Sequence, residues 1–223
     1  MGRLFVFMGK SASGKDTLYG ELLARHPEIH AVIPYTTRPI REGETDGGAY
    51  YFVSEDKMRR MEKENRIVES RCYQTVHGPW YYFTAEDGQI DWDKGDFVLI
   101  STLEGFEKIS RFYGANKVVP LYIEVDDMTR IERSLKREKE QKNPCVSEVC
   151  RRFLADEKDF SKERLDQCGI RKQYENTGLE PCIEEIIKDI LCNEGKEKQM
   201  LKKIGFIGVG IMGKSMVRNL MKA

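Results

Sequence analysis

A glycine-rich loop between an apolar run and a helical segment constrains this chain more than any other feature. Residues 9–17 read GKSASGKDT and follow the continuously apolar run Leu4–Met8. Glycines let a backbone turn tightly enough for several N–H groups to face one anion, and the helix that follows adds partial positive charge. Together with Lys15, this pattern is that of a phosphate-binding loop, or P-loop, between a buried strand and a helix. The alternative is an ordinary glycine turn.

The loop pattern predicts an ATP site with Mg²⁺ as a second cofactor. The residues expected to contact ATP are Gly9, Lys10, Ser11, Ala12, Ser13, Gly14, Lys15, Asp16 and Thr17. Lys15 is also the expected catalytic cation, because its ammonium group can neutralise the terminal phosphates. The pattern has Ser or Thr after the lysine to hold Mg²⁺, whereas this chain has Asp16 and then Thr17. Asp16 and Thr17 are therefore the candidate metal ligands, unless the nucleotide holds most of the ion.

Apolar runs alternate with helical patterns along the chain, which predicts an α/β fold with a parallel sheet. The expected strands of this sheet are Leu4–Met8, 31–33, Phe97–Ile100 and 118–125. Residues of about 35–85 instead form short alternating pieces rich in Tyr, Thr, Gly and Arg, which indicates a small strand-rich subdomain. The charged segment of about 127–147 is expected to be a helical lid or, alternatively, a solvated helix.

Composition excludes several classes of protein. The 37 basic residues balance 37 acidic ones, so nothing favours nucleic acid or an anionic membrane as a partner. No run of 18 apolar residues exists, and the first strand leads straight into the loop, so neither a membrane span nor a signal peptide is expected. Six cysteines without a Cys-x-x-Cys pair predict reduced thiols in a cytoplasmic protein. Monomer and dimer both remain open.

Residues 34–54, PYTTRPIREGETDGGAYYFVS, carry the most specific pattern in the chain. They resemble the signature of the guanylate kinase family, in which Thr-Thr-Arg-x-x-Arg leads through Gly-Glu and Asp-Gly to a Tyr and Phe-Val-Ser. With the loop, the segment VHGPWYYFT and the later arginines, the resemblance covers about residues 1–193. It implies a P-loop nucleoside monophosphate kinase that transfers a phosphoryl group from ATP to GMP or dGMP.

The resemblance also implies that residues of about 35–85 are an acceptor-binding subdomain. In that family, residues at the positions of Arg38, Arg41, Tyr50 and Tyr81 hold the GMP phosphate. Two guanidinium groups three residues apart can donate charge-assisted hydrogen bonds to one phosphate, although surface arginines paired with neighbouring glutamates would look the same. Glu69 matches the glutamate that reads guanine, since a carboxylate accepts the adjacent N1–H and N2–H donors. The alternative for Glu69 is an ordinary surface acid.

Three later arginines resemble the lid and hinge arginines that neutralise the transferring phosphoryl group in the family. Arg133 and Arg137 lie four residues apart and would share one helix face, while Arg152 begins the segment RFLADEKDF. All three are candidate catalytic residues. The alternative is that these arginines form solvated ion pairs at the protein surface.

The chain departs from the family pattern at four positions. Pro34 replaces a serine near the base, and Phe83 follows two tyrosines where the family has Gly and then Ser or Thr. Ile100 and Thr102 align with the acids that usually end the central strand. A second base contact is therefore expected to be missing, which predicts looser GMP selectivity.

Two other functions fit parts of the sequence. Ribose 1,5-bisphosphate kinases resemble guanylate kinases and can carry Gly-Lys-Asp-Ser, close to GKDT here, but generally lack the long match at residues 34–54. Guanylate-kinase-like binding modules without activity typically lose the loop lysine, whereas Lys15 persists.

A second glycine motif lies near the end of the chain. Gly208, Gly210 and Gly213 form Gly-x-Gly-x-x-Gly, and the tail resembles the opening of a β-hydroxyacid dehydrogenase. The expected organisation is a guanylate-kinase-like domain at 1–193, a polar linker at 194–199 and an incomplete Rossmann-like βα fragment at 200–223. One strand and one helix cannot bury a core, so no dehydrogenase activity is expected.

Overall fold

A computed structural model describes residues 2–75, 78–141 and 144–200, with the side chains of 192–200 outside the description. The chain divides into two compact units, Met1–Ile183 and Glu184–Ala223. The predicted linker at 194–199 is helical, because the last helix runs over Leu179–Met200. Residues 201–223, with the second glycine motif, lie outside the described residues. No helix of the described residues is long and apolar enough to cross a membrane.

Strands and helices alternate through most of the chain. The strands are β1 Leu4–Met8, β2 His30–Ala31, β3 Tyr35–Thr36, β4 Tyr51–Phe52, β5 Ile67–Thr75, β6 Gly78–Ala85, β7 Phe97–Ile100, β8 Val118–Glu124 and β9 Gln173–Glu175. The helices are α1 Lys15–Arg25, α2 Glu55–Lys63, α3 Leu103–Tyr113, α4 Asp127–Lys139, α5 Val146–Asp159, α6 Lys162–Gln167 and α7 Leu179–Met200.

The predicted parallel sheet is confirmed and has five strands in the order β2-β7-β1-β8-β9. Its central strand is β1, in which Leu4 pairs with Phe97 of β7 and Val118 of β8. Every side chain of β1 is buried, as expected for a parallel strand covered on both faces. Loops after the carboxyl ends of β1 and β8 therefore meet at one edge of the sheet, which is where open α/β sheets bind ligands.

The predicted strand-rich subdomain is a second sheet of four strands, in the order β4-β3-β6-β5. β5 and β6 form its long antiparallel hairpin. One face of this sheet packs on α2, where Met58 and Met61 meet Tyr35 and Phe83. The opposite face carries polar side chains of both long strands.

The charged segment of about 127–147 forms α4 and the beginning of α5. Its residues 142–143 lie outside the description. Ile131 and Leu135 are the clearest apolar residues of α4, yet both are only half-buried. Arg130 is the buried residue of this helix instead, with 1% of its surface exposed. A buried arginine needs partners, and those partners are part of the site.

Candidate active site

The loop after β1 has the tight backbone that a phosphate cradle requires. Gly14, at the start of α1, has φ 84°, which a glycine adopts at little cost, and Ala12 is also left-handed at φ 62°. Asn176, just after β9, donates a hydrogen bond from Nδ2 to the Ser13 carbonyl oxygen at 2.8 Å. A Cβ on Gly14 would collide with that same amide. The loop is therefore fixed by glycine geometry and by one distant asparagine.

A cavity of about 520 Å³ opens in front of this loop. It is lined by the predicted ATP-binding residues Lys15, Asp16 and Thr17 and by the predicted lid arginines Arg133 and Arg137. The nearest carboxylate to Lys15 is that of Asp16, with 3.9 Å between Nζ and Oδ2. The structure thus brings the cations of Lys15, Arg133 and Arg137 to the start of α1, together with the side-chain oxygens of Asp16 and Thr17. The helix dipole also favours an anion at this point.

Arg152 does not line this cavity. Its Nε donates to Glu148 at 2.8 Å within α5, and Glu148 also accepts from Arg151. Hydrogen bonds from Arg151 first, and from Arg152 as well, lower the pKa of Glu148 to about 2. The guanidinium lies beside a narrow cleft that also contacts Arg137 and Ser11. The structure therefore places Arg152 next to the cavity but paired within its own helix.

A charged cluster that the sequence did not predict fastens the loop to the lid helices. Glu157 of α5 accepts from Lys10 Nζ at 2.8 Å and from Arg130 Nη2 at 2.6 Å. Asp156 accepts from the backbone N–H of Ser11 at 2.7 Å and lies 3.6 Å from Arg130 Nη1. We call Lys10, Arg130, Asp156 and Glu157 the loop brace. It joins the start of the P-loop to both α4 and α5, so Lys10 serves the loop's position and is held away from the cavity.

Arg38 lies at the other candidate site, on the polar face of the second sheet. Only 4% of its surface is exposed, and both of its terminal nitrogens donate to Glu44 at 2.6 Å. The guanidinium stacks 5.4 Å above the ring of Tyr50. Hydrogen bonding to Arg38 holds the pKa of Glu44 at about 2, so the pair is ionised at neutral pH. Arg41 is exposed, and its backbone N–H donates to the same carboxylate at 2.9 Å.

The strand register decides which tyrosine joins Arg38. Successive side chains of a strand point to opposite faces, so Tyr81 and Tyr82 of β6 lie on different sides. Tyr82 faces the polar side, with its ring centroid 5.5 Å from that of Tyr50. Tyr81 packs with Tyr35 and the α2 methionines on the apolar side. The structure therefore groups Tyr82, rather than the predicted Tyr81, with Arg38 and Tyr50.

Glu69 is buried on the polar face, with 3% of its surface exposed, so the surface-acid alternative is wrong. Thr84 Oγ1 donates to its Oε1 at 3.1 Å, and Arg71 contacts the carboxylate at 3.3 and 3.4 Å. Among the described residues, Glu69 Oε2 and Arg71 Nε have no hydrogen-bond partner of acceptable geometry. Sequence reasoning missed both Thr84 and Arg71, although their period-two spacing with Tyr82 and Glu69 marks a shared face.

These features agree with the comparisons with known proteins. A family model described as guanylate kinase matches residues 1–148. The chain belongs to the guanylate kinase family. The guanylate kinase of Cupriavidus pinatubonensis is 30% identical over 177 residues, which cover 78% of each protein. The guanylate kinase of Nostoc sp. is 44% identical over 69 residues, and the chain spans 35% of that relative.

The solved structures show the same fold. A crystal structure of guanylate kinase from Anaplasma phagocytophilum matches with a TM-score of 0.59 over 86% of both chains, at 22% identity. The predicted fold, a parallel-sheet P-loop kinase core with a small strand-rich subdomain and a helical lid, is thereby confirmed. The curated relatives matched over shorter segments, including that of Thermobifida fusca, are spanned for about a third of their length, 34% in that case.

Three departures from the guanylate kinase pattern take on a different meaning in the structure. Phe83 belongs to the apolar face, while the hydroxyl beside Glu69 comes from Thr84, which donates to the Glu69 carboxylate from the polar face. Thr102 caps α3, with Oγ1 accepting from the Gly105 N–H at 3.2 Å. Ile100 pairs with Phe7 in the central sheet. These last two positions therefore support the fold.

Proposed function

We propose that the chain transfers a phosphoryl group from ATP to GMP or dGMP, giving ADP and GDP or dGDP. The observation that carries the proposal is a pair of sites with complementary chemistry. Lys15, Arg133 and Arg137 line a cavity of about 520 Å³ at the P-loop, which suits the phosphates of a donor. The second sheet buries the Glu69 carboxylate beside Arg71 and stacks Arg38 on Tyr50, which suits a base and a phosphate of an acceptor.

On the donor side, the proposed work is positioning and charge neutralisation. N–H groups of residues 9–17 and the dipole of α1 would hold the phosphates of ATP, and Lys15 would neutralise the group being transferred. Arg133 and Arg137 reach the same cavity from α4 and would balance the charge that spreads over the phosphoryl oxygens. Arg152 would join them only by leaving Glu148, so its catalytic role remains a prediction.

On the acceptor side, Arg38, Arg41 and Tyr50 are proposed to hold the phosphate of GMP. Tyr82 replaces Tyr81 in this set, because it shares a face with Tyr50. Glu69 is proposed to accept the N1–H and N2–H groups of guanine. Adenine has an acceptor at N1, so the same carboxylate would be left poorly paired.

Mg²⁺ is the proposed second cofactor, and the residues at the start of α1 fit it. The Asp16 carboxylate is exposed and lines the cavity beside the Thr17 hydroxyl. Mg²⁺ usually takes one or two protein oxygens and completes its shell with phosphate and water. Among the described residues no cluster of three or more metal-binding side chains exists, which suits an ion held mostly by the nucleotide. When bound, the ion neutralises phosphate charge.

The remaining expectations stand as proposals. A cytoplasmic location rests on the sequence argument alone, and a monomer and a dimer are both compatible with the sequence. We further propose that the dehydrogenase-like tail takes no part in the reaction. Deleting residues 201–223 should then leave turnover unchanged, and a large loss of activity would contradict the proposal.

The proposed function is tested by kcat/KM for GMP, dGMP, AMP, UMP and ribose 1,5-bisphosphate on one preparation with ATP and Mg²⁺. We expect GMP and dGMP to be the best acceptors. If ribose 1,5-bisphosphate is preferred, or if no nucleotide is phosphorylated, the proposal fails.

A further inference from the structure

The Glu69–Arg71 pair is unusual for two charged groups in contact. Both residues lie on β5 with their side chains on the polar face, and the Glu69 side chain is 1% exposed while that of Arg71 is 21% exposed. Arg71 Nε lies 3.3 Å from Glu69 Oε2, and Nη2 lies 3.4 Å from Oε1. Well-made arginine–carboxylate pairs are shorter, about 2.7–2.9 Å, and use two parallel hydrogen bonds. Arg38 and Glu44 show that geometry in the same subdomain.

The loose contact leaves hydrogen-bonding capacity unused at one spot. Among the described residues, Glu69 Oε2, Arg71 Nε and Ser101 Oγ are buried without a hydrogen-bond partner. Gly105 lies beside two of these atoms, because a Cβ at this position would collide with Ser101 Oγ and stand 3.4 Å from Glu69 Oε2. Buried polar atoms are nearly always paired, so a cluster of unpaired ones points to a ligand that completes it.

The pair offers an acceptor edge beside a donor fork, which is a recognisable chemical pattern. Guanine presents N1–H and N2–H donors next to the O6 acceptor, and arginine is the common donor to guanine O6 and N7. Adenine presents the reverse order at these positions, with an acceptor at N1 and a donor at N6. Pro34, at the position of a serine in the family, has no side-chain hydrogen-bond donor.

We propose that Arg71 is a specificity-determining residue that donates to the oxygen at position 6 of the acceptor purine, while Glu69 accepts from N1–H and N2–H. The proposal rests on the proposed function for the identity of the acceptor. On this proposal, the selectivity for guanine over adenine depends on the adjacent opposite charges of Glu69 and Arg71. The loose internal contact keeps Glu69 neutralised without a ligand and still leaves the Arg71 fork free to turn toward the base.

The test is a base-analogue series on the wild type and Arg71→Met. The acceptors are GMP, IMP, which lacks the 2-amino group but keeps O6, 6-thio-GMP, whose sulfur is a weaker acceptor, and AMP. Losing the arginine should lower kcat/KM for GMP and for IMP by about 10- to 100-fold, mainly through KM. The loss should be several times smaller for 6-thio-GMP, and AMP should be unchanged or improved. Glu69→Gln should instead change the ratio of GMP to IMP.

Two further variants separate recognition from folding. Arg71→Lys keeps the charge without the fork and should recover part of the preference for O6, which also covers the case in which Arg71→Met folds poorly. Arg111→Met removes an exposed arginine on α3 that pairs with Glu107, and it should leave all four rates unchanged. If Arg71→Met lowers all four acceptors by one common factor, Arg71 merely supports Glu69 and the proposal is overturned.

Calorimetric binding of the same four nucleotides, without ATP, distinguishes this inference from the proposed function. Turnover of GMP with no dependence on the group at position 6 refutes the role of Arg71 and leaves the kinase function standing. Binding that depends on position 6 and on Arg71, but without turnover, refutes the kinase function and leaves the inference standing. Failure of the wild type to bind GMP overturns the inference as well.

Discussion

The charged groups around the P-loop and those of the acceptor sheet differ in how they are balanced. At the loop, Lys15 has its nearest carboxylate 3.9 Å away, and Arg133 and Arg137 form no ion pair with the described residues. In the acceptor sheet, Arg38 is paired with Glu44 at 2.6 Å, and Glu69 is already in contact with Arg71.

This difference bears on what each site does to its ligand. Unbalanced cations in a cavity attract a highly charged anion and need no internal bond to break. Groups that already form an ion pair must share or break that pair when a ligand binds. Only a ligand that forms hydrogen bonds with both members of the pair therefore gains binding free energy. Under the proposed function, the P-loop cavity is therefore suited to the charge of the donor, and the second sheet is suited to selection of the acceptor.

The largest expected effect removes the charge of the donor side. Lys15→Ala should lower kcat by about 1,000-fold, since a single group that stabilises developing charge contributes on that scale. The fold should survive, because Lys15 lies at the cavity outside the core. Steady-state kinetics and a thermal melt check this, with Lys94→Ala as a control at an exposed lysine. Near-normal turnover would show that the loop is not the donor site.

A large effect on stability is expected from the loop brace. Arg130→Met removes the buried cation beside Asp156 and leaves Glu157 with Lys10 alone. Breaking a buried ion pair costs about 3 kcal/mol. The free energy of unfolding in denaturant measures this. Because the brace also holds the P-loop, KM for ATP should rise more than KM for GMP. An equal rise in both would argue against a specific link to the loop.

A smaller effect is expected on the acceptor side. Glu69→Gln should reduce the preference for GMP over AMP by about 10-fold, because an amide cannot accept both guanine donors. The check is the ratio of the two kcat/KM values. Arg41→Ala should instead weaken both acceptors alike, since a phosphate contact does not distinguish bases. An unchanged ratio in Glu69→Gln would remove Glu69 from base recognition.

The smallest effect concerns pH. Glu44 has a folded pKa of about 2, below its ordinary value of 4.5, so the unfolded chain binds more protons in that interval. The stability that Glu44 contributes is therefore complete above pH 4.5 and is lost as the pH falls towards 2. Denaturant melts between these values should show a weaker pH dependence in Glu44→Gln. An unchanged slope would show that the Arg38–Glu44 pair adds nothing to folding.

The sequence predicted the strands whose buried residues follow one another directly in the chain. β1, β7 and β8 are continuous apolar runs, and each was found at or near its observed bounds. β9 and α6 were not predicted, because each buries one clear apolar residue, Tyr174 and Leu165 respectively. A pattern needs several repeats before it can be recognised.

The candidate site likewise contains some residues that the sequence predicted and others that it did not. The P-loop and its cavity follow from spacing and lysine chemistry, so Lys15, Asp16 and Thr17 were found. Tyr82 was not, because the face that a strand residue occupies depends on register, and a shift of one residue exchanges the faces. The burial of Arg130 was not predicted, because periodicity arguments count apolar residues. Carboxylates from another helix stabilise this buried arginine.

The hydrogen bond from Asn176 to Ser13 also sets an order of events during synthesis. The two residues are 163 positions apart in the chain, so the ribosome makes the entire glycine motif long before the side chain that fixes it. β9 must also pair with β8 before Asn176 is in place. A nascent chain released before that strand would contain the complete nucleotide-binding signature without its final loop shape. Truncation before residue 176 is therefore expected to weaken nucleotide binding, even though every residue of the glycine motif is retained.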